Sequence, residues 1–374
     1  MSESTTGEDV SGSRGELVDR FRAGEEGALA RAITLVENQA PGFEALLDAL
    51  REGVGRAHRI GITGPPGAGK STLVAGLARL YRDRGERVGV IAVDPSSPFT
   101  GGALLGDRVR MSELATEPGI FIRSMASRGS AGGLATSTRE VADLMDAFGF
   151  ARMILETVGV GQSELEIATS ADSTVLVLVP ESGDGIQTMK AGLMEVADLF
   201  VVNKADRQGA DRLRKEIEVS RALSAGFALR GVPPHHGVEL SRMGRRRGVS
   251  GRGPRGTAAA HELDAARWRV PVLMCVASRG EGLDELAAAL DEHLEWLRGS
   301  GRLADGRRAA LLEQARSVLT RAVERRARAC WDAWLEREGG TTRLEDTSPY
   351  ALARKLYREL WPDGNTGPED GPAA

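Results

Sequence analysis

The chain has 374 residues, with 49 basic and 53 acidic side chains, a net charge of −4 and two cysteines, Cys275 and Cys330. That length suits one large domain with smaller attachments, and the nearly balanced charge gives no general pull toward nucleic acid or a membrane surface. Two cysteines argue against a disulfide framework and fit a reducing cytosol. The start lacks a basic-then-apolar leader, and no apolar run nears the roughly 18 residues of a spanning helix. The expectation is a cytoplasmic protein with no membrane and no nucleic-acid partner.

Residues 1–14 are small, polar and acidic, the composition of a disordered tail. From Glu16 to Arg56, Leu17, Phe21, Ala28, Ala32, Leu35, Phe43, Leu46, Leu47 and Leu50 recur at spacings of three and four, broken at Pro41-Gly42. This is a helical extension over 15–57.

The stretch Gly64-Pro65-Pro66-Gly67-Ala68-Gly69-Lys70-Ser71-Thr72 fits Gly-x4-Gly-Lys-Ser/Thr and lies between strand-like Arg59–Thr63 and a helix carrying Leu73, Leu77 and Leu80. Glycines let backbone N–H groups turn toward phosphates, Lys70 bridges β and γ oxygens, and the Ser71 hydroxyl suits Mg²⁺. The helix N-terminus adds partial positive charge.

Strand-like Arg87–Val93 ends in Asp94-Pro95-Ser96-Ser97. Ligands of open parallel sheets bind beyond the strands' carboxyl ends, so Asp94 is a candidate for Mg²⁺, with turn capping as the alternative. The Gly-rich segment 100–107 reads as a switch loop, with Asp107 a second metal candidate. After strand-like Ile120–Arg123, helical 133–148 and strand-like Met153–Leu155 comes Glu156-Thr157-Val158-Gly159-Val160-Gly161-Gln162. Its glycines can meet a γ-phosphate, while Glu156 can bind the metal's water shell or orient a nucleophile. Thr174–Val179 is an unbroken apolar run, the pattern of a strand buried on both faces. Beyond it, Asp184, Gln187 and Lys190 suit either a nucleotide-responsive loop or a solvated helix cap.

Leu199–Val202 delivers Asn203-Lys204-Ala205-Asp206. A carboxylate at Asp206 accepts from guanine N1–H and N2–H, a donor pair that adenine lacks; Asn203 fixes the loop and the Lys204 stem covers the base. Residues 225–261 hold Gly, Pro and the run Arg245-Arg246-Arg247 without interleaved aromatics, the composition of a solvated insertion. Val270–Val276 leads to a fifth loop in which Val276, Ala277 and Ser278 are candidate guanine contacts. A helix from Leu283 closes a nucleotide domain over 58–300. Further amphipathic helices over 301–374 carry Leu311, Leu312, Leu319, Trp331, Trp334, Leu352 and Leu356, and their stripes suit packing on the parent domain or a dimer interface.

Taken in order, these motifs resemble the methylmalonyl-CoA mutase-associated GTPases, the MeaB/ArgK family of G3E-type P-loop GTPases, over about residues 15–300. Ala30–Asn38 is similar to the family's N-terminal helix. The resemblance implies an α/β fold: a mostly parallel P-loop NTPase sheet with helices on both faces and helical extensions at both ends. It implies a Mg²⁺-dependent GTPase that binds GTP and GDP, hydrolyses slowly alone, and acts as a chaperone gating adenosylcobalamin delivery to an acyl-CoA mutase. Homodimerisation through the C-terminal helices is also implied. Position by position, Lys70, Ser71, Asp94, Asp107 and Glu156 would serve phosphate and Mg²⁺, and Asp184, Gln187 and Lys190 a third switch. The Arg-rich insertion and the Val276-Ala277 pair depart from the common pattern. A metallochaperone for another enzyme would need a Cys- or His-rich cluster, a kinase a phosphoacceptor pocket, and a non-catalytic scaffold would stay slow even with its partner.

Overall fold

A computed structural model describes residues 5–95, 114–127, 133–157, 167–180, 191–229, 268–338 and 348–361. The chain divides into two units, Met1–Arg307 and Arg308–Ala374.

The first unit is built on seven strands: β1 His58–Thr63, β2 Val88–Pro95, β3 Ile120–Ser127, β4 Arg152–Thr157, β5 Ser173–Leu178, β6 Leu199–Val202 and β7 Val272–Met274. Their order is β3-β2-β4-β1-β5-β6-β7, and all six pairings between them are parallel. The sheet expected from the apolar runs is therefore present, and β1 lies centrally between β4 and β5.

Period-two alternation divides each strand between two layers. Ile60 and Ile62 of β1, Ile154 of β4, Val175 and Val177 of β5 and Val201 of β6 face α4 (Lys70–Asp83) and α8 (Leu283–Gly299), packing against Leu73, Leu77, Tyr81, Leu286 and Leu290. On the opposite face, Ile91, Val93, Met153 and Leu155 pack with α1 (Thr5–Arg22), α2 (Glu26–Glu37), α3 (Phe43–Leu50) and α5 (Gly133–Ala147). Farther along that face Leu176, Leu178, Phe200 and Val202 meet α6 (Ala191–Val196) and α7 (Ala210–Leu229). Burial on both faces explains why β5 reads as one continuous apolar run.

Some boundaries differ from the sequence reading. Helix α1 begins at Thr5, ahead of Glu16 and within the expected disordered tail. Helix α7 extends to Leu229 and so takes in the first residues of the expected 225–261 insertion. The remainder of the expected insertion, 230–261, lies outside the described residues.

At the amino ends of the strands, polar groups pair with one another. Asp146 of α5 accepts from the backbone N–H groups of Gly55 (2.8 Å), Arg56 (3.0 Å) and Ala57 (2.9 Å). Arg59 binds Asp143 at 2.7 Å and Asp146 at 3.1 Å. Burial alone would raise the Asp172 pKa, but hydrogen bonding and charge from Arg307 overcome it and hold the carboxyl below its usual range. A buried chain crosses beneath the sheet: Arg152 Nη1 to His58 Nδ1 at 3.1 Å, His58 Nε2 to Ser173 Oγ at 2.7 Å, and Ser173 Oγ to His293 Nδ1 at 2.8 Å. Arginine only donates, so Nδ1 of His58 accepts, its Nε2–H donates to Ser173, and the serine hydroxyl donates to His293. Burial pushes His58 down to about 3 and His293 down to about 4, which keeps both rings neutral at pH 7.

The second unit contains most of α9 (Arg302–Glu338) and all of α10 (Pro349–Leu360). Pro349 stands in the first turn of α10, and the Ser348 hydroxyl caps that helix by accepting from Ala351 N–H at 3.1 Å. Trp331 and Trp334 pair at 5.4 Å, and Arg337 binds Glu359 at 2.9 Å. Among the described residues, no helix is long and apolar enough to cross a membrane.

Candidate nucleotide site

Strand β1 ends at Thr63 and the chain turns through Gly64 (φ +143°), Gly67 (φ +75°) and Gly69 (φ +84°) before α4 starts at Lys70. Two of these glycines are required sterically as well as by dihedral. A Cβ on Gly64 would overlap the Val177 carbonyl oxygen, and one on Gly69 would overlap the Asn203 amide. The loop thus sits directly on β5 and on the segment after β6. Lys70 is buried and donates to the carbonyls of Gly64 (2.8 Å) and Pro65 (3.0 Å), which fixes its ammonium under the loop. The first turn of α4 carries no acidic residue, so its N–H groups and dipole favour an incoming anion.

Glu156 reaches the same place from the neighbouring strand. It is paired in register with Ile62 of β1, and its Oε1 accepts from Ser71 Oγ at 2.7 Å. One residue on, Thr157 Oγ1 donates to Thr63 Oγ1 at 3.2 Å, closing β4 onto β1 at this end. A hydroxyl beside a buried carboxylate is an all-oxygen donor set, which fits Mg²⁺, an ion that takes one or two carboxylates and leaves its other positions to water and phosphate. No cluster of three or more His, Cys, Asp or Glu ligands occurs among the described residues. The backbone of Asp94 stands at the carboxyl end of β2, next to β4. Its side chain, and Asp107, Asp184, Gln187 and Lys190 entirely, lie outside the described residues.

The Asn203–Asp206 segment follows β6. Asn203 is buried and clamps three segments: its N–H donates to Leu178 O at 2.8 Å, its Nδ2 to Ala68 O at 2.8 Å, and its Oδ1 accepts from Ala277 N–H at 3.1 Å. These partners fix the orientation of the amide. Lys204 adopts φ +55°, turning the chain so that Ala205 N–H reaches Cys275 O at 3.0 Å. Asp206 is exposed, and its Oδ2 accepts from Arg279 Nη2 at 2.9 Å. Behind the loop, burial pushes the Cys275 thiol up to about 12, so it is a packing group and not a nucleophile.

Lys70, Ser71 and Glu156 therefore converge at one end, and Asn203, Lys204, Asp206 and Ala277 at the other, with Asn203 joining them. The N–H groups of Val276 and Ala277 already have acceptors, Glu281 O at 2.9 Å and Asn203 Oδ1, while Ser278 is exposed. Arg279 was missed by sequence reasoning; a lone cation in the polar run 277–282 gave only a faint signal.

A parallel sheet crested by this cradle, with a base loop fastened to it, defines a P-loop GTPase. The family model for the methylmalonyl-CoA mutase-associated GTPase MeaB matches residues 29–332, and the chain belongs to that family. It is similar to a Pyrococcus horikoshii relative, 42% identical over 345 residues covering 92% of this chain and 98% of the other. GTPase ArgK of Escherichia coli is 38% identical over 307 residues, 80% of this chain and 82% of that protein. Among solved structures, the one titled LAO/AO transport system kinase superposes with a TM-score of 0.58 at 29% identity, covering 93% of this chain and 98% of that one. The protein is a GTP hydrolase.

Proposed function

We propose that this GTPase is a chaperone for an adenosylcobalamin-dependent acyl-CoA mutase of the methylmalonyl type, gating cofactor loading and protecting the mutase. The observation that carries this reading is the family match over residues 29–332. The reaction is in-line attack of water on the γ-phosphate, giving GDP and phosphate. In it, the residues 64–72 cradle the phosphates, Lys70 neutralises charge developing on the β and γ oxygens, and the first N–H groups of α4 do the same from the loop side. Ser71 and Glu156, with Asp94 and Asp107, would hold Mg²⁺, which when bound supplies further charge neutralisation at those oxygens. Asn203, Lys204 and Asp206 hold the guanine, and residues 276–278 border it. Asp184, Gln187 and Lys190 form a segment that answers the nucleotide state, and the mutase completes the hydrolytic arrangement.

The functional form in this reading is a cytoplasmic homodimer joined through residues 301–374. Supporting it, Leu312 and Leu319 of α9 are 61% and 66% exposed, with Leu311 and Val323 also exposed along the same helix. The test is GTP hydrolysis by the purified protein with and without an adenosylcobalamin-dependent acyl-CoA mutase from the same cell. Stimulation of at least about tenfold is expected, in the manner of partner-completed GTPases. An unchanged rate with no association on a sizing column would sink the mutase partnership while leaving the GTPase intact.

A further inference from the structure

We propose that Arg279 is a positioning residue for guanine recognition, holding the Asp206 carboxylate so that its remaining lone pairs face the base edge. This rests on the reading of Asp206 as the guanine acceptor. The two residues lie on different loops, after β7 and after β6, yet the loops are cross-linked. Ala205 N–H donates to Cys275 O at 3.0 Å, Ala277 N–H to Asn203 Oδ1 at 3.1 Å, and Arg279 N–H to Val276 O at 2.8 Å. Gly282, at φ +80°, closes the turn where a Cβ would overlap the Met274 carbonyl oxygen. Both backbones are thus pre-aligned, and only two side chains need ordering for the contact to form.

The geometry decides between support and competition. A guanidinium that blocked the carboxylate would take both oxygens with its planar fork. Here Arg279 Nη2 meets only Oδ2, at 2.9 Å, while its Nη1 lies 3.6 Å from Glu281 Oε1. Among the described residues, Oδ1 of Asp206 accepts no hydrogen bond. A carboxylate offers about four lone-pair sites, and guanine N1–H and N2–H need two of them. The Asp206 and Arg279 side chains are 35% and 57% exposed, so as a device for fold stability the pair is weak. Its effect belongs to the ligand, whose two-point contact demands a fixed carboxylate plane.

The experiment is calorimetric titration of the full chain with GDP and with IDP, whose base lacks the N2 amine, for wild type, Arg279→Ala, Arg279→Lys and Asp206→Ala. Removing Arg279 should weaken GDP by about three- to tenfold, as for a charge-assisted contact at a partly exposed site, and IDP by less, so the GDP/IDP ratio narrows. Lysine, with charge but no fork, should restore part of the ratio. Unchanged or tighter GDP binding in Arg279→Ala, with the preference still abolished by Asp206→Ala, overturns the role of Arg279 alone. If Asp206→Ala itself keeps the GDP preference, the acceptor reading fails and the proposal falls with it.

Discussion

The two ends of the same sheet handle polar groups in opposite ways. At the amino ends, His58, Arg59, Asp172 and Ser173 are bonded to Arg152, Asp143, Arg307 and His293 inside the protein. At the carboxyl ends, Lys70, Ser71, Asn203 and Asp206 are braced by neighbouring strand and loop groups, in loops that glycine keeps open. A closed mesh stabilises the fold, whereas a braced but open array is preorganised for a ligand. The difference predicts that changes at one end alter stability and those at the other alter turnover and selectivity.

The sharpest break of that contrast is Lys70→Ala, which should lower hydrolysis by about a thousandfold, on the scale of losing one transition-state charge contact. The unfolding midpoint without nucleotide should fall far less, and comparable hydrolysis would refute the role of Lys70. Asp146→Ala is the mirror case. It strips the acceptor from three backbone N–H groups, that of Ala57 fully buried, and a partner from Arg59, and should cost about 3–5 kcal/mol in urea unfolding. GDP affinity of the folded variant should stay near wild type. Asp206→Asn should move preference from GTP toward xanthosine triphosphate by about ten- to a hundredfold, because a carboxamide donates where xanthine offers an oxygen. Retained GTP selectivity in competition assays would count against the base contact.

The smallest expected effect concerns pH and is confined to the amino end. His58 and His293, held down to about 3 and about 4, are protonated first in the unfolded chain, so their contribution is full above about pH 6.5 and is lost as pH falls toward 4. Asp198 has the opposite sign: burial pushes it up to about 6, so its contribution is present at low pH and lost as pH rises through 6. Asp198→Asn removes that offset. Urea midpoints at pH 6.5, 5.5 and 4.5 should therefore fall more steeply in the variant, by at most about 1.4 kcal/mol per pH unit for one proton. Parallel curves would show that Asp198 does not titrate in this window.

What could be read in the sequence follows the range of the interactions. The cradle at 64–72, the strands and Asn203–Asp206 announce themselves locally, through glycine spacing, apolar runs and a short motif at a strand end. The amino-end mesh left no local trace because its partners are distant: Arg59 and Asp143 are 84 residues apart, His58 and Ser173 115, Arg307 and Asp172 135. Arg279 escaped notice for the same reason, since 73 residues separate it from Asp206 and the motif ends before it. Asn203 was read as a loop-fixing residue, and its reach to Ala68, 135 residues earlier, became visible only in the fold.

That reach has a consequence for fragments of the nucleotide. One amide ties the 64–72 loop to the segments after β6 and β7, so under the proposed reading the protein is a rigid two-headed receptor. Guanosine and pyrophosphate, offered separately, each find only half of it. Joined by a ribose, the second head engages at the effective concentration set by the first, and GDP should bind far more tightly than either fragment.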